Sequence, residues 1–287
     1  MSVAPPGFGP TSHPAPPGPR PELPEGAAAR ALWRPWTAWA ALLLGFAGAF
    51  AAALGLGIIA AIGGASLEDP PGWVNLAATV VQDVSLIAAA VYFARIGGRA
   101  RAADFGLTRP QAPGAAVGYA AAGLVSFFLF TGIWVAITGA SDSSSKLLDE
   151  LGLDESVLAV VGAALLVCVI APVAEEFVFR GYFFTAMRGW RGMWPAAVIT
   201  GLAFGAIHLG STNVVFLVPL AFLGFALCVV YDRTGSLYPC IGAHAVNNAL
   251  AFGSAEGWDW QILPIAAGAL AVIALGARGL ERLERAA

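Results

Sequence analysis

The chain has 287 residues, of which 58% are hydrophobic and 11% are charged, and its formal net charge is -3. Soluble domains carry about 25% charged residues, so this chain lacks the polar surface that would cover a soluble core of its size. A nucleic-acid binder, a disordered chain and a secreted disulfide scaffold also fit poorly. The composition predicts a polytopic membrane protein, with the lipid bilayer as its first partner.

The first 34 residues differ in composition from the rest of the chain. Nine of the 19 prolines lie between Pro5 and Pro24, and no long apolar run occurs there. Such stretches adopt extended polyproline conformations without a packed core. We therefore predict a disordered cytoplasmic tail over residues 1–34. It does not resemble a signal peptide, because no apolar segment with a small-residue cleavage site follows the first residue.

From Trp36 onward, apolar runs alternate with short polar breaks. Because a spanning helix needs about 20 residues, we predict an all-α transmembrane bundle of about eight spans. The predicted helices are 36–62, 73–94, 114–138, 157–188, 193–209, 213–231, 236–253 and 258–277. They form one domain over residues 35–278, followed by a short cytoplasmic tail over 279–287. Short spans beside a long one occur where helices tilt or where a site lies at mid-membrane.

The charged residues of the connections follow the positive-inside rule. Arginines lie in the N-terminal tail, in alternate connections and after the last span: Arg20, Arg30, Arg34, Arg95, Arg99, Arg101, Arg109, Arg188, Arg191, Arg233, Arg278, Arg282 and Arg285. The opposite side is acidic and has a single basic residue, Lys146. We therefore predict an integral membrane protein with both termini in the cytoplasm, and the composition suggests a bacterial cell membrane.

Few ionisable residues remain inside the predicted spans. They are Asp83, Glu175, Glu176, Arg180, His208 and His244, with Asn248 as a polar companion. A charge at mid-membrane costs about 2.5–3.5 kcal/mol on insertion scales, so such residues face a partner or an interior cavity. Asp83 has no evident partner and is interpreted as structural. The three cysteines lie in apolar runs and are interpreted as buried thiols without a role in chemistry.

Four of these side chains are predicted to share one layer of the membrane. At 1.5 Å per residue, Glu175 and His208 lie about 20 and 22 Å from the cytoplasmic ends of their helices. His244 and Asn248, four residues apart on one helix face, lie about 12 and 18 Å from the start of the seventh span. Spans four, five and seven would therefore form an active-site layer reached from the cytoplasm.

Residue spacing also predicts two local contacts. Glu176 and Arg180 are four residues apart, so they lie on one face of the fourth span and are expected to pair. Gly201 and Gly205 form a small-residue motif that lets a neighbouring helix approach the fifth span closely. Glutamate–arginine pairs and glycine motifs in membrane helices are more often structural than catalytic. A structural role for each of them would not, however, explain why four polar side chains share one layer of the membrane.

The residue types in this layer suit the activation of water. A carboxylate in a low-dielectric cavity serves as a general base, and imidazole and carboxamide groups stabilise an oxyanion where water does not compete. Because Glu and His are ordinary zinc ligands, Glu175, His208 and His244 are also candidate ligands of a divalent metal.

Three motifs occur in order on spans four, five and seven. They are EExxxR from Glu175 to Arg180, FxxxH from Phe204 to His208, and HxxxN from His244 to Asn248. Together they resemble the CPBP family, the CAAX prenyl endopeptidase and bacteriocin-processing intramembrane proteases, also called the Abi family. The motif-bearing core covers residues 157–253. The sequence Asp104-Phe105-Gly106-Leu107 before the third span is similar to an element common in bacterial members.

The resemblance implies an intramembrane endopeptidase that acts on membrane-associated peptides or proteins. It implies the following roles: Glu175 as general base assisted by His208, His244 and Asn248 as oxyanion stabilisers, and Glu176 with Arg180 as holders of the local geometry. The family is filed among metalloproteases, yet a metal-independent glutamate mechanism has been argued for prenyl-processing relatives. A zinc mechanism and a metal-free mechanism both stay open, and prenylated CAAX proteins are one of several substrate classes.

Two other functions are compatible with such a bundle. One is a non-proteolytic bacteriocin-immunity or scaffold protein, although that role would not need Glu175. The other is a small-solute or proton transporter, for which intramembrane carboxylates are also typical. The sequence shows no inverted repeat and no matched pair of broken helices, which argues against transport.

Overall fold

The computed structural model describes residues 33–66, 70–96, 98, 100–140, 157–255, 257 and 260–286, with the backbone alone for 281–286. These residues form a bundle of eight helices. The helices are α1 (Pro35–Ile62), α2 (Gly72–Ile96), α3 (Pro113–Thr138), α4 (Val157–Arg191), α5 (Met193–Ile207), α6 (Leu217–Thr234), α7 (Leu237–Ala255) and α8 (Ile262–Ala286). No β-strand forms within these ranges, and the one isolated β-bridge joins Leu209 and Thr212. The predicted all-α fold is confirmed.

Each predicted helix corresponds to one observed helix, and most boundaries agree within a few residues. The largest difference is at the end of α8, which was expected at residue 277 and lies at Ala286. Arg, Leu, Glu and Ala dominate that stretch, and these residues favour helix strongly. The predicted N-terminal tail lies outside the described residues except for Trp33 and Arg34. The acidic residues predicted for the outer connections also lie outside them.

Six of the eight helices are long and apolar enough to cross a membrane, which indicates an integral membrane protein. They are α1, α2, α3, α4, α6 and α8. Helix α5 has only 15 residues, and α7 carries His244, Asn247 and Asn248, which lower its hydropathy. The outer helices expose large apolar side chains such as Leu43 and Phe50. Eight helices are thus observed in the described part of the chain, whereas eight spans stay a prediction.

Helix α4 is continuous but contains two wider π-helical segments. They cover Leu166–Ile170 and Phe177–Phe184, with an ordinary α-helical turn, Ala171–Glu176, between them. The Thr185 hydroxyl donates to the Arg180 carbonyl oxygen at 3.0 Å, five residues back, and so binds a carbonyl of the widened segment. Local π-helical turns occur often at functional sites. Glu175 and Glu176 are the last two residues of the α-helical turn that separates the two π-helical segments.

Glycines bring α5 and α6 into close contact. A Cβ atom added at Gly201 would lie 2.6 Å from the carbonyl oxygen of Ala221, and one at Gly205 would lie 2.6 Å from that of Leu217. Gly224 of α6 approaches equally closely, since its Cβ would lie 2.9 Å from the Cα of Gly201. The predicted close approach of a neighbouring helix to Gly201 and Gly205 is therefore confirmed, and this neighbour is α6.

The connection between α2 and α3 joins α4 to the start of α7. Phe105 is buried and stacks on Phe177 of α4 with ring centroids 4.5 Å apart. Gly106 has a φ of 80°, and its carbonyl oxygen accepts a hydrogen bond from Leu237 N–H at 2.8 Å. Trp33 also packs on Phe105, with ring centroids 4.7 Å apart. The connection lies at the end of the bundle where α2, α4 and α6 end and where α3 and α7 begin. Most of the described arginines lie near these helix ends, and we call this end of the bundle the arginine end.

Candidate active site

Glu176 and Arg180 form a buried ion pair on α4. Arg180 Nη1 lies 2.7 Å from Glu176 Oε1, and both side chains are 0% exposed. Arg180 Nη2 also donates to the carbonyl oxygen of Gly224 at 3.1 Å. The guanidinium carbon lies 4.6 Å from the centre of the Phe204 ring, which is a cation–π distance. The predicted pairing is confirmed, and Arg180 connects α4 to both α5 and α6.

His244 of α7 lies between the two adjacent glutamates. Its Nδ1 is 2.8 Å from Glu176 Oε1, and its Nε2 is 3.8 Å from Glu175 Oε2. An ionised carboxylate only accepts hydrogen bonds, so Nδ1 carries the hydrogen in this contact. Nε2 is left facing Glu175 at a distance too long for a direct hydrogen bond. One acceptor, Glu176 Oε1, therefore holds both Arg180 and His244.

Glu175 differs from Glu176 in its surroundings. Its side chain is 17% exposed, whereas that of Glu176 is fully buried. The Oε2 atoms of both glutamates are buried and have no hydrogen-bond partner among the described residues. Glu175 therefore differs from Glu176 in that its side chain is partly exposed and is not paired with Arg180.

His208 lies at the end of α5, where the helix gives way to a turn. Its Nδ1 is 2.8 Å from the carbonyl oxygen of Phe204. A carbonyl only accepts, so Nδ1 carries the hydrogen and Nε2 keeps a free lone pair in the neutral ring. Phe204 packs between the two histidines, with its ring centre 4.9 Å from that of His208 and 5.7 Å from that of His244. The sequence includes Phe204 in the FxxxH motif but gives it no role.

Asn248 is hydrogen-bonded to α4 and to its neighbour Asn247. Its Nδ2 donates to the carbonyl oxygen of Val167 at 2.9 Å, and its Oδ1 accepts from Asn247 Nδ2 at 3.3 Å. Val167 lies in the first π-helical segment of α4. One Nδ2 hydrogen of Asn248 stays available for a ligand. Asn247, which sequence reasoning does not single out, therefore fixes the orientation of the neighbouring carboxamide.

The predicted metal ligands are Glu175, His208 and His244. Among the residues that the structure describes, no three or more His, Cys, Asp or Glu side chains are arranged to hold a metal ion. Glu175 and His244 are neighbours, and His208 keeps its Nε2 for a ligand because its Nδ1 donates to its own helix. A shared metal stays a prediction, and the chemistry below is derived from side chains alone.

The site as a whole combines one accessible carboxylate with oriented imidazoles. Arg180 neutralises Glu176, Glu176 fixes the ring of His244, and His244 presents Nε2 to Glu175. Buried contacts of this kind hold reacting groups in place without reorganisation during a reaction. The arrangement suits a reaction in which a carboxylate removes a proton and an adjacent imidazole ring donates one.

Comparison with known proteins gives a consistent result. A family model described as Rce1-like, type II CAAX prenyl endopeptidase Rce1-like, matches residues 157–250. An Escherichia coli protein described as "Uncharacterized 24.3 kDa protein" is 28% identical over 130 residues. That alignment covers 44% of this chain and 59% of the relative. No solved structure matches the chain. The resemblance predicted from the three motifs is thereby confirmed over residues 157–250.

Proposed function

We propose that this chain, which contains an Rce1-like segment over residues 157–250, is an intramembrane endopeptidase. The observation that carries the proposal is the position of His244 between Glu175 and Glu176. A purely structural glutamate pair would be satisfied by Arg180. It would not need a second, accessible carboxylate facing an oriented imidazole.

In the proposed reaction, Glu175 removes a proton from a water molecule. The resulting hydroxide attacks the carbonyl carbon of a peptide bond, and the carbonyl oxygen becomes an oxyanion. His208 assists, since its Nε2 lone pair is free to accept a hydrogen bond when Nδ1 donates to Phe204. The carbon–nitrogen bond then breaks, and the amine leaves with a proton.

The roles of His244 and Glu176 follow from their hydrogen bond. Because Nδ1–H donates to Glu176, Nε2 carries a hydrogen only when the ring is an imidazolium. A buried carboxylate on Nδ1 stabilises that form and its orientation, as the aspartate of a Ser-His-Asp triad does. His244 would then donate to the oxyanion, together with the free Nδ2 hydrogen of Asn248, and supply the proton of the leaving amine.

The proposed substrates are peptides or proteins held at the cytoplasmic membrane surface. By the positive-inside rule, we expect the arginine end to face the cytoplasm. A cavity open on that side would receive a membrane-associated chain, and prenylated CAAX proteins are one candidate class. Metal dependence is a separate question, which metal analysis of the purified protein answers.

The function is tested by comparing peptide ends released from membranes by the wild type and by single variants in proteoliposomes. Glu175→Gln and His244→Ala should abolish the new ends, while Glu176→Gln should weaken cleavage. Asp232→Asn is the matched control, because Asp232 is a carboxylate outside the site that pairs with Arg188 at 2.6 Å. A scaffold or transporter would give the same peptide ends for all of these proteins, which would refute the proposal.

A further inference from the structure

Asp83 is a buried carboxylic acid on α2 that has no part in the contacts described above. The residue is 3% exposed, and its Oδ2 has no hydrogen-bond partner among the described residues. Buried polar groups are normally hydrogen-bonded, and acidic residues inside a membrane usually serve a function. An unpartnered oxygen in this position points to a ligand that donates hydrogen bonds.

Asp83 lies within about one helical turn of the depth of Glu175. Asp83 is 13 residues before Ile96, the last residue of α2, and Glu175 is 16 residues before Arg191, the last residue of α4. These spacings correspond to about 20 Å and about 24 Å from the arginine end at 1.5 Å per residue. Helix α2 packs against the segments Leu166–Ile170 and Ala171–Glu176 of α4, and the two carboxyl groups interact electrostatically.

Two acceptor groups that repel each other are best satisfied by a donor placed between them. Glu175 also has a buried oxygen without a partner, Oε2, and its side chain is the more exposed of the two glutamates. Water has two O–H groups and can donate one to each carboxylate. Its lone pairs then point away from both acids, which is the orientation that attack on a carbonyl carbon requires.

We propose that Asp83 is a further catalytic residue, which accepts one hydrogen of the water whose other hydrogen Glu175 removes. The inference rests on the proposed function. Glu175 takes one proton, the oxygen–carbon bond forms, and Asp83 keeps its hydrogen bond to the remaining O–H. Nothing is oxidised or reduced. The interpretation of Asp83 as structural is replaced by a role in orienting the nucleophile.

The test compares Asp83→Leu and Asp83→Asn with Gln82→Leu in proteoliposomes. Gln82 is the preceding residue on α2, so its substitution removes a polar side chain of the same helix without touching the proposed site. Misplacing a nucleophile costs about 100-fold in rate, so kcat of Asp83→Leu should fall by about 100-fold while KM is unchanged. Asp83→Asn keeps one acceptor oxygen and should lose about 10-fold in kcat. Gln82→Leu should behave as the wild type.

Asparagine has the same shape as aspartate, so the kcat of Asp83→Asn tests the inference if Asp83→Leu does not fold. A folded Asp83 variant with the kcat of the wild type would overturn the inference, and so would a raised KM at unchanged kcat, which indicates substrate binding. A stoichiometric metal that the wild type holds and Asp83→Asn loses would also overturn it. If the wild type and Glu175→Gln release the same peptide ends, the proposed function fails as well. If only Glu175→Gln is inactive, the proposed function stands without Asp83.

Discussion

Removal of the Arg180 guanidinium should destabilise the fold far more than loss of an exposed arginine. In Arg180→Met, Glu176 stays fully buried and loses its permanently charged partner, at 2.7 Å. Breaking a buried ion pair in this way costs about 3–5 kcal/mol. The contacts with Gly224 and Phe204 are lost at the same time. We expect a loss in the upper part of that range.

The double variant Glu176→Gln/Arg180→Met separates the charge effect from lost packing. It leaves no buried charge behind, so it should be about 2 kcal/mol more stable than Arg180→Met alone, within the range of coupling between residues in contact. The matched control is Arg188→Met. Arg188 is half exposed in its pair with Asp232, and such pairs contribute about 0–1 kcal/mol.

The free energy of unfolding in mixed detergent micelles measures all three variants. The same preparations give the activity per folded molecule. If Arg180→Met were as stable as Arg188→Met, or if adding Glu176→Gln lowered its stability further, Arg180 would not be neutralising Glu176 and the electrostatic account of the site would be wrong.

Three further substitutions test the packing around the site by thermal unfolding. Gly201→Ala forces a Cβ against α6 and should lower the free energy of unfolding by about 1–3 kcal/mol. Gly118→Ala has open space around it and should not destabilise the fold, so equal losses in the two variants would contradict the close approach of α5 and α6. Gly106→Ala places a side chain at a φ of 80° and against Tyr231, so it should lower the free energy of unfolding by at least about 1–2 kcal/mol. Gly114→Ala, which has no neighbouring atoms around the added methyl group, is the comparison and should lower it less. Phe204→Leu removes the cation–π contact with Arg180 and should lower the free energy of unfolding by about 2 kcal/mol or more. Phe128→Leu changes an exposed side chain and should lower it less, so a larger loss in Phe128→Leu than in Phe204→Leu would refute a stabilising contact.

The sequence predicts the helices and part of the site because both follow from one-dimensional patterns. Apolar runs mark the eight helices, and the four-residue spacing of Glu176 and Arg180 predicts their ion pair. The depth calculation predicts only that His244 and Glu175 share one broad layer, and they are neighbours in the structure. Each of these results depends on position along a single helix, which the rise per residue determines.

Other features depend on which helices pack together, and the sequence does not state that. Asp83 lies within about one helical turn of the depth of Glu175, but its relation to the site becomes visible only when α2 is seen to pack on α4. Asn248 donates to the carbonyl oxygen of Val167, which lies in a π-helical segment, and hydropathy carries no signal for π-helices. The role of Phe204 likewise needs the positions of α4 and α7.

The most direct test of the account is the rate of one identified peptide-bond cleavage by wild type and Glu175→Gln in proteoliposomes. Glutamine keeps the size of the side chain and removes the base, and loss of general-base catalysis lowers rates by about 100-fold to 10,000-fold. We therefore expect kcat/KM of Glu175→Gln to fall by at least about 100-fold, with the variant folded as the wild type. Cleavage by Glu175→Gln at the rate of the wild type would contradict the central claim that Glu175 activates the attacking water.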